Sequence, residues 1–213
     1  MKINEPRIPD DIKLMPLTQV FEKAIIDDVD IENCSFKTDV VENISLVRIV
    51  VSRCVFTNCR FVNCRFERMH FVDVIFENCD LSNISLKESN FNRVKFINCK
   101  LVGVNFIESV FDNVAVIDSV GKYANFFTAV IRNSSFENTN FSEANFTSNK
   151  FIKNILRKCI FERANFMHAE LNDLDFSDNM IEGAYFMLDK LKGVTVSYEQ
   201  AIRFAELLGL IVK

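Results

Sequence analysis

Three cysteines stand five residues apart in the stretch Cys54–Phe66, CVFTNCRFVNCRF. Thiols so spaced could chelate a metal, exchange disulfides or cross-link the chain. Zinc centres, however, take two cysteine pairs separated by two to four residues and converging tetrahedrally, and a four-residue gap alone is a weak match. The cysteine count is odd at 7, and no charged segment leading into an apolar run opens the chain. Both features argue against an extracellular disulfide framework. All seven, Cys34, Cys54, Cys59, Cys64, Cys79, Cys99 and Cys159, instead share one phase of a longer pattern. That phase makes them compact apolar fillers rather than reactive groups.

The pattern has a period of five. From Phe21 to Val196 every fifth residue is Phe, Leu, Ile or Val, with Gly121 the single exception among 36 positions, and 20 of the 22 Phe lie on this ladder. Phe56, Phe61, Phe66, Phe71 and Phe76 follow one another without a break, as do Phe136, Phe141 and Phe146. Five is neither the period of a half-buried strand nor that of a helix. A repeat so sustained means that each unit buries its apolar face by stacking on its neighbours. Two residues before each ladder position runs a second column of small or medium side chains, the cysteines among them, in which only Asp39 and Asp189 are charged. Both columns are expected to face inward.

Little else reads as catalytic chemistry. The two histidines, His70 and His168, are 98 residues apart on outward positions, and no glycine-rich phosphate loop, nucleophile elbow or metal-spaced histidine pair is present. No enzyme, cofactor, metal or small-molecule substrate is expected. The net charge of −4 argues against direct nucleic-acid binding, which needs a basic surface. Without an export signal or a long apolar run, a cytoplasmic protein free of membrane is the expectation.

Units such as Ala144-Asn-Phe-Thr-Ser, Ala164-Asn-Phe-Met-His and Ala184-Tyr-Phe-Met-Leu resemble the pentapeptide-repeat family. The resemblance implies an all-β fold, a right-handed quadrilateral parallel β-helix of about nine coils over residues 21–196, with four pentapeptides to a coil. Cys59, Cys79 and Cys99, twenty apart, would then stack on one face. The residue before the ladder, often Asn or Asp in the family, is here frequently Arg, Lys, Val or Ile, which alters the outer surface more than the fold. Gly121 removes one core side chain within Ala115–Val130, where Ile117, Val120, Tyr123 and Phe127 fall outside the two inward columns, so a local distortion or an exposed apolar patch is expected there.

Coil stacks need covered ends. Residues 1–20, which hold all three prolines, are the expected N-terminal cap. At the other end, residues 197–213 read as a helix from Tyr198 to Leu208, with a Ser197/Gln200 capping box and a stop at Gly209, followed by a short strand at Leu210–Val212. The apolar arc is wider than one surface covers. A two-fold homodimer using Tyr198, Phe204, Leu207, Leu208, Leu210, Ile211 and Val212 is therefore expected. This end also resembles the Qnr-like quinolone-resistance branch of the family, which dimerises there.

That branch implies a protein that mimics DNA, binds type II DNA topoisomerase (gyrase) and protects it from quinolone or peptide poisons. Mimicry needs carboxylates set against a basic groove. Candidates are Glu162, Glu170, Asp173, Asp175, Asp178 and Glu182, in a segment whose only base is Arg163. A basic run, Arg48, Arg53, Arg60, Arg65 and Arg68, stands against a uniformly negative surface. The alternative is a non-enzymatic scaffold or adaptor that presents a flat face near Tyr123 and Phe127 to an unrelated protein.

Overall fold

The computed structural model describes residues 3–212, except for the side chain of Leu207. It is a parallel β-helix of about seven turns with a short C-terminal helix. Each turn takes twenty residues. Phe91 lies in register with Phe71 on one side and Phe111 on the other, and Phe56 pairs with Phe36 and Phe76. Four rungs recur per turn, seen at Arg60↔Asp80, Arg65↔Ser85, His70–Glu77 and its parallel partners, so the turn has four sides. We number them by their ladder residues: Phe61 on the first, Phe66 on the second, Phe71 on the third and Phe76 on the fourth.

Parallel strands stack about 4.8 Å apart, which is also a good distance for offset phenyl rings. The ladder therefore forms columns of near-parallel rings. Phe76 and Phe96 have centroids 5.0 Å apart at 4°, as do Phe146 and Phe166. Phe56, Phe61, Phe66, Phe71, Phe76, Phe136, Phe141 and Phe146 are all buried.

Every fifth residue from Asp28 to Asp173 turns a corner with positive φ; Gly103 is the one glycine among them, and many of the rest are Asn, the residue that tolerates this conformation best after glycine. Corners of two kinds result, and they explain the small column. Where a corner closes its own turn bond, as Ala144 N–H to Phe141 O or Ala164 N–H to Phe161 O, the column residue is usually apolar. At several corners that do not, a side chain one coil on accepts the N–H. Ser119 Oγ accepts from Cys99 N at 3.0 Å, Ser134 Oγ from Val114 N at 3.0 Å and Asn179 Oδ1 from Cys159 N at 2.9 Å.

The cysteines belong to this scheme. All seven are free thiols, six buried and Cys34 half-buried. Their Sγ atoms donate weakly to corner carbonyls, Cys79 to Phe56 O at 3.3 Å and Cys99 to Phe76 O at 3.4 Å. They are thus more than apolar fillers: each also donates to a backbone carbonyl.

The first ladder positions depart from the expected boundary. Helix α1, Leu17–Asp27, replaces the coil there, burying Leu17, Phe21 and Ala24 and leaving the ladder residue Ile26 80% exposed. Phe21 plugs the shaft, with its ring 5.6 to 6.4 Å from those of Phe36, Phe56, Phe61 and Phe66. The coils begin at Ile31, and they number about seven rather than nine. Asp39, charged in an otherwise neutral column, accepts from Leu17 N at 3.0 Å and so caps α1 from outside.

Ahead of α1 the chain forms a strap along the corner between the third and fourth sides. Lys13–Leu14 pairs with Cys34–Ser35, Arg7 N donates to Asp73 Oδ1 at 2.9 Å, Glu5 pairs with Lys95, and Asn4 N donates to Asn113 Oδ1 at 3.0 Å. Asp73 is buried and held bidentately by Arg93 at 2.6 and 2.7 Å. Burial opposes its ionisation, but the Arg93 guanidinium and the Arg7 amide outweigh that and hold its carboxyl below the usual range.

At the other end α2, Tyr198–Leu207, starts on the Ser197/Gln200 capping box. It stops at Gly209, φ +82, where Leu210 N to Ala205 O and Gly209 N to Glu206 O complete a Schellman closure. Gln200 Nε2 reaches the last complete coil, donating to Phe176 O at 2.9 Å and Asn179 O at 2.8 Å. Asp189, the second charged exception in the small column, falls in a 3-10 turn, Leu188–Lys190, at this end. Leu210–Val212 forms no strand: among the described residues no strand pairs with it. Among the described residues no helix is long and apolar enough to cross a membrane.

Candidate interaction surfaces

The shaft is filled by side chains, so its chemistry lies on the sides and ends. Cys54 and Cys159 are poor nucleophiles. Burial pushes Cys54 up to about 12 and Cys159 up to about 11, and reactivity belongs to the thiolate.

Because a coil takes twenty residues, the carboxylates of the C-terminal coils wrap around the shaft instead of sharing one face. Glu170 lies on the third side, Asp173 at the next corner, Asp175 on the fourth side, Asp178 at the following corner, and Glu162 and Glu182 stack on the first side. Two are ion-paired: Glu170 with Lys150 at 3.4 Å and Glu182 with Arg203 of α2 at 3.2 Å. Asp175 accepts from Ser177 N and Oγ at 2.8 and 2.6 Å, fixing its turn. The continuous part is the stretch Asp173–Asp175–Asp178, all exposed.

One coil earlier, directly alongside, runs a row that the sequence reading did not single out: Lys150, Lys153, Arg157 and Lys158, all exposed. The twenty-residue register would have located it. By contrast, Arg48, Arg53, Arg60, Arg65 and Arg68 spread over the circumference, and two are neutralised, Arg53 by Glu32 and Arg68 by Glu88, each at 2.8 Å.

Beyond the acidic belt the end is apolar. Tyr198, Leu208, Leu210, Ile211 and Val212 are exposed, Ile211 at 86%. Phe204 differs from this group: it is half-buried against its own Phe186, ring centroids 5.5 Å apart. Between α2 and the last coil lies an open groove of about 750 Å³, with Ile181, Ala184, Tyr185 and Phe186 on one wall and Gln200 and Phe204 on the other. The side chain of Leu207 lies outside the described residues.

Midway along the shaft Val120, Tyr123 and Phe127 are exposed, Tyr123 at 56%. Gly121 causes no break in the coils here: Val120 stays in register with Lys100 and Asn140. The N-terminal end was also missed as a surface. Residues 10–42 carry nine carboxylates against three cations, and Leu14, Met15, Ile25, Ile26 and Val29 are exposed among them.

The chain is a parallel β-helix with a closed core, decorated sides and unlike ends. The chain belongs to the pentapeptide-repeat family: the pentapeptide repeat region profile matches residues 49–126 and 89–151, and the pentapeptide repeats (8 copies) profile matches 150–178. No curated protein sequence matches it. Among solved structures, full-length QnrB1, a plasmid-mediated fluoroquinolone resistance protein, superposes with a TM-score of 0.51 at 18% identity, covering 93% of this chain and 95% of its own. A trypsin-treated form of QnrB1 gives 0.47 at 21% identity, covering 84% and 90%. HetL, a pentapeptide repeat protein involved in heterocyst differentiation regulation from the cyanobacterium Nostoc sp. strain PCC 7120, gives 0.33 at 12% identity, covering 85% and 94%. At these identities the likeness is one of fold.

Proposed function

We propose that this protein is a homodimeric DNA mimic of the Qnr-like branch, which binds type II DNA topoisomerase (gyrase) where duplex would lie and shields it from quinolone or peptide poisons. The observation that carries the reading is the C-terminal end. There the exposed carboxylates Asp173, Asp175 and Asp178 lie on the coil to which Gln200 of α2 is hydrogen-bonded, and α2 with the tail after it exposes Tyr198, Leu208 and Leu210–Val212. Pairing two copies through the apolar group sets the two acidic stretches about one axis, where they face a basic groove together. The cationic row at Lys150–Lys158 confines the mimicry to that centre. The overall likeness to full-length QnrB1 supports the assignment. On this reading the protein is no enzyme, takes no cofactor or small molecule, contacts neither nucleic acid nor membrane directly, and works in the cytoplasm.

Purified protein added to gyrase in a supercoiling assay with a fluoroquinolone should restore supercoiling. The Asp173→Lys/Asp178→Lys variant should not; Lys153 holds the Asp173 corner conformation one coil earlier, and the Asp178 side chain is exposed. Absence of binding and protection at high excess would end the reading.

The exposure of Val120, Tyr123 and Phe127 favours a second reading, a scaffold that docks an unrelated protein mid-shaft. Tyr123→Asn with Phe127→Thr should then abolish partner binding while Asp173→Lys/Asp178→Lys leaves it intact.

A further inference from the structure

The N-terminal end has apolar side chains with no structural duty. In α1 the residues facing the shaft are Leu17, Phe21 and Ala24, while Ile25 and Ile26 point away and are 47% and 80% exposed. Leu14, at 69%, and Met15 and Val29 extend the exposed group around the first coil. Solvated apolar clusters of this kind mark interaction sites. Met15 also lines an open groove of about 430 Å³ with Asp11, Lys13, Glu32, Asn33 and Cys34.

Charge selects the occupant. Residues 10–42 have a net charge of −6, nine carboxylates against three cations, and Glu22, Asp27 and Asp28 rim the exposed isoleucines as exposed residues of α1 and its C-cap. A second copy meeting this end would bring like charge onto like charge, which costs affinity. An anionic lipid surface is disfavoured for the same reason. We infer that the N-terminal end is a docking site for a cationic amphipathic helix of a partner protein, its apolar face against Ile25, Ile26 and Leu14 and its flanking Lys or Arg side chains toward Glu22, Asp27 and Asp28. This mode of recognition buries an apolar stripe and uses the rim for orientation. The inference is independent of the C-terminal reading: a dimer joined at that end leaves both N-terminal ends free.

The test uses the full chain and a labelled synthetic leucine–lysine amphipathic helix. Binding should be saturable and weaken with salt. The methyl resonances of Ile25, Ile26 and Leu14 should shift while those of Ile211 and Val212 stay. Leu14→Gln/Ile26→Gln should lower affinity about tenfold or more, since it removes two apolar contacts. Asp27→Asn/Asp28→Asn, which keeps the corner conformation, should weaken binding and flatten its salt dependence. Equal binding by both variants, shifts confined to the C-terminal methyls, or self-association of wild type abolished by Ile26→Gln would each overturn the inference.

Discussion

Phe141 occupies the space that Gly121 leaves empty: a Cβ on Gly121 would stand 2.6 Å from Phe141 Cε1 and 2.7 Å from its Cδ1. The ladder's one missing side chain is thus filled from the next coil, where Phe141 is fully buried and stacks on Phe161 at 5.7 Å. The glycine is required for packing, not for backbone freedom. Gly121→Ala should destabilise by about 1–3 kcal/mol through overpacking, and Phe141→Leu in the same chain should recover part of the loss. Chemical denaturation measures both, and an alanine variant as stable as the parent would contradict the geometry.

The small column makes a contrast between two conservative changes. Ser119→Ala strands the buried Cys99 N–H, for which Ser119 Oγ is the acceptor, and should cost about 1–3 kcal/mol. Cys99→Ser keeps a donor for Phe76 O and Ile97 O and should change stability by less than about 1 kcal/mol. Equal losses in the two would mean that the column serves volume alone.

Two asparagines in the shaft should respond with opposite signs. Asn179 accepts from Cys159 N and donates to Leu156 O, so Asn179→Ala should lower the unfolding midpoint. Asn149 is fully buried with neither Oδ1 nor Nδ2 partnered, and the column residues one coil on either side are Ala129 and Ala169. Its corner already closes a backbone bond, Asn149 N to Phe146 O. Removing the amide in Asn149→Ala should raise the midpoint, since an unpaired buried polar group costs about 1–3 kcal/mol.

Asp73 ties the N-terminal strap to pH. Its folded pKa is depressed, so its stabilisation is complete above the ordinary Asp value of about 3.9 and is lost as pH falls through the lower folded value. Hydrogen exchange at the Arg7 amide should therefore accelerate below that range. Asp73→Asn should flatten the acid dependence and loosen the strap even at neutral pH; a protection profile identical to wild type would refute the tether.

The C-terminal residues should separate by role. Leu208→Asp/Ile211→Asp alters exposed side chains, so if the proposed dimer forms through this end, sedimentation should move from dimer to monomer with little change in unfolding temperature of the monomeric fold. Phe204→Ala removes the contact with Phe186 and should destabilise the cap itself, by up to about 3–5 kcal/mol were the ring fully buried and less at its half-burial.

The sequence by itself determined the shaft. Phe, Leu, Ile and Val at a period of five can bury only by stacking, and that fixes the inward columns and the capping box at Ser197. It did not separate α1 from the coils, because Phe21 satisfies both the ladder and the helical spacing Leu17–Phe21–Ala24; Pro16, just before the helix, was the available signal. Only the tertiary structure decided which charges share a side. Neighbours in sequence diverge around a twenty-residue turn, while residues twenty apart become neighbours, so Lys153 lies beside Asp173 and the carboxylates of one segment encircle the shaft. The filling of Gly121 by Phe141 was likewise invisible to a local pattern, since side-chain packing is settled between coils and not within one.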